Sequence, residues 1–111
     1  MKTLKQETME IINNMVVMNE MTIEKVIAEI LTYGCINGIV ADLTYYYQTE
    51  AFFDRHKDEI NAIARGLSIE IFENPYELYY NLKGGCSKNT MAWFGFEETT
   101  REIADELEIE Y

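Results

Sequence analysis

The spacing of apolar residues predicts helices along most of the chain. Residues 3–19 carry apolar side chains at helical intervals from Leu4 to Val16, which predicts a first helix. Thr22 is expected to be the N-cap of a second helix, because an apolar stripe reaching Leu31 follows it directly. Gly34 fits the left-handed residue that ends such a helix. The stripe of the second helix comprises Ile23, Val26, Ile27, Ile30 and Leu31.

Cap residues and apolar spacing in the middle of the chain predict two more helices. Asn37 is placed at the start of a third helix that reaches Tyr46 or Tyr47. Thr49 is placed as the cap of a fourth helix, which Gly66 either ends or bends. The side chains predicted to be buried on this fourth helix are Phe52, Phe53, His56, Ile60, Ile63, Ala64 and Leu67.

Residues 67–72 have no single interpretation. Their apolar side chains alternate as in a strand, but no second strand pattern exists to pair with them. A short helix or an extended connector is therefore preferred. Pro75 fits the first turn of a brief helix over residues 76–82, and a glycine-rich loop follows it.

A final helix is predicted from Asn89 to Glu108, with Gly95 inside it as a point of close helix packing. Short connections between amphipathic helices favour antiparallel neighbours in one bundle. The fold predicted is therefore all-α: a single compact helical domain over residues 1–111, with about five helices. The side chains expected to be buried on the final helix are Trp93, Phe94, Phe96, Ile103, Ala104 and Leu107.

The composition supports a folded, acidic protein. Hydrophobic residues make up 48% of the chain and aromatic residues 13%, so a core forms despite a net charge of −11. Such a charge repels phosphates and anionic membranes, so we predict neither nucleic acid nor membrane as a direct partner. The residues Met1–Glu10 lack the apolar centre of a signal peptide, and Cys35 and Cys86 follow no metal spacing. We expect a soluble, cytoplasmic protein with free thiols.

No pattern predicts catalysis, a cofactor or a metal. His56 is the single histidine, and the order of acids around it does not match the Glu-x-x-His pair of helical metal sites. It is expected at the edge of the core, hydrogen-bonded to a neighbour or to water. A nucleophile formed by Cys35 or Cys86 with His56 has no support from spacing. The prediction is therefore a protein that is not an enzyme.

The tyrosines and the acidic end are the candidates for binding. Tyr79 and Tyr80 stand beside the glycine-rich loop, where exposed aromatic rings suit a protein interface. For any single tyrosine, ordinary packing with the hydroxyl group reaching solvent is the preferred interpretation. The segment Glu97–Glu110 holds seven acids with Arg101 as its one base. A helix of that length spans roughly 21 Å, which gives one carboxylate per roughly 3 Å. DNA presents one phosphate per about 3.4 Å of each strand.

The acidic end has two interpretations. It is either a solvated face or a surface that substitutes for a nucleic-acid backbone. On the second interpretation, the partner is a basic protein surface, and the partner-binding residues are Glu97, Glu98, Glu102, Asp105 and Glu106, with Tyr79 and Tyr80 as anchors.

Two stretches carry a family resemblance. They read YGCINGIVADLTYYYQTEAFFDRHKDEI and NTMAWFGFEETTREIADELEIEY. Tyr33-Gly34-Cys35, a second glycine that opens an aromatic-rich segment, Trp93-Phe94 and Glu97-Glu98 resemble a family of small uncharacterised acidic proteins from phages, plasmids and other bacterial mobile elements. The resemblance implies no reaction and carries over no catalytic residue. It implies a setting in which small acidic proteins resemble inhibitors of host defence.

Together these features give a functional hypothesis. The chain is expected to be a non-enzymatic inhibitor of a bacterial nucleic-acid-targeting defence enzyme, of anti-CRISPR or anti-restriction type, that occupies a basic nucleic-acid-binding surface. The alternative is a structural module that self-associates through exposed aromatic residues, without nucleic-acid mimicry.

Overall fold

The computed structural model describes residues 1–33, 46–68 and 88–110. These ranges hold four helices and no strand, which confirms the all-α prediction. The predicted helix at 76–82 and most of the one at 37–47 lie outside the described residues. The helices are α1 Leu4–Asn19, α2 Ile23–Tyr33, α3 Tyr46–Ser68 and α4 Lys88–Glu106.

The helix α1 begins and ends at well-defined caps. The Thr3 hydroxyl accepts a hydrogen bond from the Gln6 amide at 3.1 Å, and the Gln6 side chain accepts one from the Thr3 amide at 2.9 Å. At the other end Glu20 turns left-handed, with φ 52°, and the Met21 amide donates to the Val16 carbonyl at 3.2 Å. The observed start lies one residue after the predicted one.

The predicted cap of α2 is also confirmed. The Lys25 amide donates to the Thr22 hydroxyl at 3.2 Å, which satisfies one of the free amides of the first turn. Val26, Ile27 and Ile30 are fully buried, as the stripe predicts. The Gly34 terminator lies outside the described residues.

The helix α3 corrects the predicted division at Thr49. The chain is already helical from Tyr46, so Thr49 lies inside the helix rather than at its start. No glycine or proline interrupts the sequence there, and a threonine alone does not stop a helix. The irregularity lies instead at His56, with φ −121° and ψ 20°, and the helix continues past Gly66 to Ser68.

Helix α4 packs against the other three helices and forms the centre of the fold. Its most extensive contact is with α3, where a Cβ atom added to Gly95 would lie 2.5 Å from Ile60 Cγ1. The predicted close packing at Gly95 is therefore confirmed. The buried apolar side chains of the four helices are Leu4, Ile11, Ile12, Met15, Val26, Ile27, Ile30, Phe52, Phe53, Ile60, Ala64, Met91, Ala92, Phe96, Ile103 and Ala104.

The end of α4 differs from the prediction. Glu108 adopts a left-handed conformation with φ 56°, and the Ile109 amide donates to the Ala104 carbonyl at 2.9 Å. The helix therefore stops at Glu106 rather than Glu108. Leu107 is 50% exposed, so its predicted burial is wrong. Ile109 packs against the core instead. Within the described ranges, no helix combines the length and apolar character needed to cross a membrane.

Candidate functional site

The acidic residues of α4 line one side of the helix. Glu98, Glu102, Asp105 and Glu106 recur at the intervals that place side chains on a common face. With Arg101 they border a shallow depression of about 420 Å³. We call these four carboxylates and the depression the acidic face.

The other predicted partner-binding residues are placed differently. Glu97 is half-buried on α4 and does not border the depression. Tyr79 and Tyr80 lie outside the described residues. The structure therefore brings four of the seven predicted residues together.

Helix α4 is shorter than the predicted acidic ridge. Glu108 and Glu110 follow the end of the helix, so α4 itself carries five of the seven acids. Glu98 to Glu106 spans roughly 12 Å at 1.5 Å per residue, or one carboxylate per about 4 Å on average. That spacing still resembles the phosphate spacing of one DNA strand, which is about 3.4 Å.

Among the described side chains, two bases contact the acidic face and partly neutralise it. The Lys5 ammonium donates a hydrogen bond to Glu106 Oε1 and lies 3.9 Å from Glu102 Oε1. Arg101 Nε lies 3.9 Å from Glu98 Oε1. The four acids outnumber these two bases, so the described side chains of the acidic face keep a formal charge of −2.

Lys5 was not predicted as part of this site. It is separated from Glu106 by 101 positions in the sequence, and no local pattern connects the two. The hydrogen bond to Glu106 raises the pKa of Lys5 above its ordinary value, and burial opposes that rise only in part. Lys5 therefore carries a full positive charge at neutral pH.

A second polar cluster joins α1 to α3. The Glu7 carboxylate accepts hydrogen bonds from Arg55 Nε at 3.1 Å, from Arg55 Nη2 at 3.0 Å and from His56 Nε2 at 3.0 Å. On the other side of the ring, His56 Nδ1 lies 3.5 Å from Glu59 Oε1. The two oxygens of Glu59 lie 3.1 and 3.0 Å from the Leu4 amide, at the start of α1. We call this set the α1–α3 junction.

In the α1–α3 junction, burial and hydrogen bonds hold the histidine and the glutamate in place. The His56 side chain is 2% exposed and its ring packs edge-on against Phe52, which confirms a hydrogen-bonded histidine but places it deeper than the core edge. Burial raises the pKa of Glu7, but the hydrogen bonds from Arg55 and His56 outweigh it and hold that pKa below its ordinary value. Cys35 and Cys86, the thiols considered above as nucleophiles beside His56, lie outside the described residues. Among the residues that the structure covers, no three His, Cys, Asp or Glu side chains are grouped to hold a metal.

Comparison with known proteins identifies the family. No curated protein and no solved structure matches the chain significantly. Residues 2–109 match the family described as a domain of unknown function, DUF7222. Because the match covers nearly the whole chain, the protein belongs to the DUF7222 family.

Proposed function

We propose that this protein is a non-enzymatic binding protein whose acidic face occupies a basic surface on another protein. The observation that supports the proposal most directly is the grouping of Glu98, Glu102, Asp105 and Glu106 around one depression. The face keeps an excess of negative charge after its contacts with Lys5 and Arg101 are counted.

The proposed partner is a nucleic-acid-targeting defence enzyme of a bacterium, of CRISPR or restriction type. Such an enzyme binds phosphates through a strip of lysine and arginine side chains. Carboxylates about 4 Å apart along a helix provide negative charge at a spacing similar to that of the phosphates along one DNA strand. The family resemblance described above supplies the bacterial mobile-element setting, and the protein would act by excluding DNA or RNA from the enzyme.

The proposal is tested by DNA cleavage assays with a panel of CRISPR effectors and restriction enzymes. We expect inhibition of a susceptible enzyme to be overcome by excess DNA and to weaken as salt rises from about 50 to about 500 mM. Replacing three exposed acids of the face (Glu102→Gln, Asp105→Asn and Glu106→Gln) should weaken binding by about tenfold or more.

A matched control separates local from overall charge. The variant Glu10→Gln, Glu20→Gln and Glu24→Gln also removes three exposed acids, but from α1 and α2 and the turn between them. It should leave binding within about twofold of the wild type, because none of these three residues borders the depression of the acidic face. Equal losses in the two triple variants, or inhibition that does not respond to salt, would reject the proposal.

Self-association is the alternative function. The large apolar side chains that are exposed in the described ranges are aliphatic, and they comprise Met1, Val17, Met18 and Leu107. Sedimentation velocity over a wide concentration range distinguishes the two functions. A concentration-dependent dimer that forms without a partner favours self-association, whereas a monomer that binds only the basic partner favours the acidic face.

A further inference from the structure

Lys5 places a cation from α1 on the acidic face of α4. Its ammonium contacts two carboxylates of that face, Glu102 and Glu106, which lie one helical turn apart. The Lys5 side chain is 44% exposed, so it is able to leave the face without opening the core.

The backbone beneath Lys5 is held firmly. The Thr3–Gln6 capping box and the contacts from Glu59 to the Leu4 amide fix the first turn of α1. The Lys5 side chain is therefore presented to α4 from a fixed point, and only its own rotation is needed to release Glu102 and Glu106.

We propose that Lys5 is an internal occupant of the position that a lysine or arginine of the partner takes on binding. Its ion pairs are then an autoinhibitory contact, which the partner displaces. This inference rests on the function proposed above, because it concerns the same acidic face.

The ion pairs of Lys5 are weak enough for a partner's arginine to displace them. An exposed lysine–carboxylate pair contributes little to stability, because both groups stay hydrated when they separate, so the displacement is readily reversible. An arginine of the partner presents five donors in a planar fork and can engage carboxylates with two parallel hydrogen bonds, which a lysine ammonium does not do. The displaced Lys5 ammonium returns to water. An arginine-rich partner is therefore favoured over a lysine-rich one.

The test uses a fluorescent oligoarginine peptide as the probe, with binding followed by anisotropy at low salt. The variant Lys5→Met keeps the apolar stem and removes the charge, and we expect it to bind the peptide about two- to fivefold more tightly than the wild type. Lys2→Met is the matched control, because Lys2 is similarly exposed on the chain before α1 but pairs with Glu10. It should change affinity by less than about twofold.

A charge-preserving variant should change the peptide affinity in the opposite direction. In Lys5→Arg the internal occupant becomes the stronger competitor, so peptide binding should weaken by about two- to threefold without any change in net charge. In the wild type, the NMR signals of the Lys5 ε-methylene group should move towards those of a solvated lysine when the peptide is added.

The outcomes separate the inference from the function on which it rests. If Lys5→Met and Lys2→Met tighten binding equally, or if Lys5→Arg binds as the wild type does, the autoinhibitory contact is rejected. In that case the proposed function stands if Glu102→Gln with Glu106→Gln still weakens binding. If that double variant binds the peptide as the wild type does, the acidic face itself is rejected.

Discussion

The α1–α3 junction and the acidic face use the same chemistry in different surroundings. In the junction the Glu7 carboxylate is 15% exposed and accepts three hydrogen bonds from Arg55 and His56. On the acidic face the Glu106 carboxylate is 50% exposed and shares the Lys5 ammonium with Glu102. The comparison separates carboxylates that position helices from carboxylates that are accessible to a partner.

The difference has an energetic basis. A buried carboxylate loses its hydration, and its hydrogen bonds must replace the lost water, so removing one partner leaves the others unsatisfied. An exposed carboxylate keeps its water and contributes little to stability through a single ion pair. Stability should therefore depend on the junction, whereas binding should depend on the acidic face.

The largest expected effect comes from Glu7→Gln. The amide of glutamine has one acceptor oxygen and a donor group, so it cannot accept all of the hydrogen bonds from Arg55 and His56. We expect the free energy of unfolding to fall by about 1–3 kcal/mol, as measured by urea denaturation at neutral pH. Glu106→Gln is the comparison on the acidic face, and it should change stability by no more than about 0.5 kcal/mol. Equal losses in the two variants would remove the distinction between the regions.

The next largest expected effect is that the loss of unfolding free energy in Glu7→Gln depends on pH. The folded-state pKa of Glu7 lies below its ordinary value of about 4.5, because the hydrogen bonds from Arg55 and His56 outweigh the effect of burial. Its stabilising contribution is therefore complete above the ordinary pKa and is lost as pH falls through the lower, folded-state pKa.

Denaturant titrations at several pH values measure this dependence. The difference in unfolding free energy between the wild type and Glu7→Gln should be largest near neutral pH and should shrink steadily below about pH 4.5. Because the two proteins share their remaining carboxylates, most of the general acid sensitivity cancels in the difference. A difference that stays constant down to the acid transition would show that Glu7 acts through its shape rather than its charge.

Local signals in the sequence predicted the helices best where the cap residue lies next to the stripe it begins. Thr22 and the apolar stripe of α2 are neighbours along the chain, and the structure shows both. Thr49 was misread because a threonine that follows helix-compatible residues carries the same signal as a true cap. The choice between the two depends on packing that a local pattern does not contain.

The polar contacts were less predictable than the helices. The acids of the acidic face follow helical spacing, so a local pattern is enough to place them on one side of α4. Glu97 was predicted with them but does not border the depression. Lys5 and Glu7 contact partners on helices that are distant in the sequence. Arg55 pairs with Glu7, 48 positions away, rather than with Glu59, which is one helical turn away. Such pairs depend on how the helices cross, which the periodicity of a single helix does not determine.

The smallest expected effect concerns the C-terminal end of α4. Glu108 holds the left-handed conformation that lets the Ile109 amide reach the Ala104 carbonyl. Side chains other than glycine adopt this conformation at a cost of roughly 1 kcal/mol, because Cβ crowds the backbone. Glu108→Gly should therefore be more stable than Glu108→Ala by about 0.5–1 kcal/mol, in thermal and urea denaturation.

The paired variants isolate the backbone from the charge. Both remove the same carboxylate from the end of α4, where the helix dipole disfavours negative charge, so that electrostatic gain cancels between them. Neither should alter binding through the acidic face, because Glu108 does not border the depression. If Glu108→Ala equals or exceeds Glu108→Gly in stability, the left-handed turn does not end the helix in solution, and α4 extends beyond Glu106.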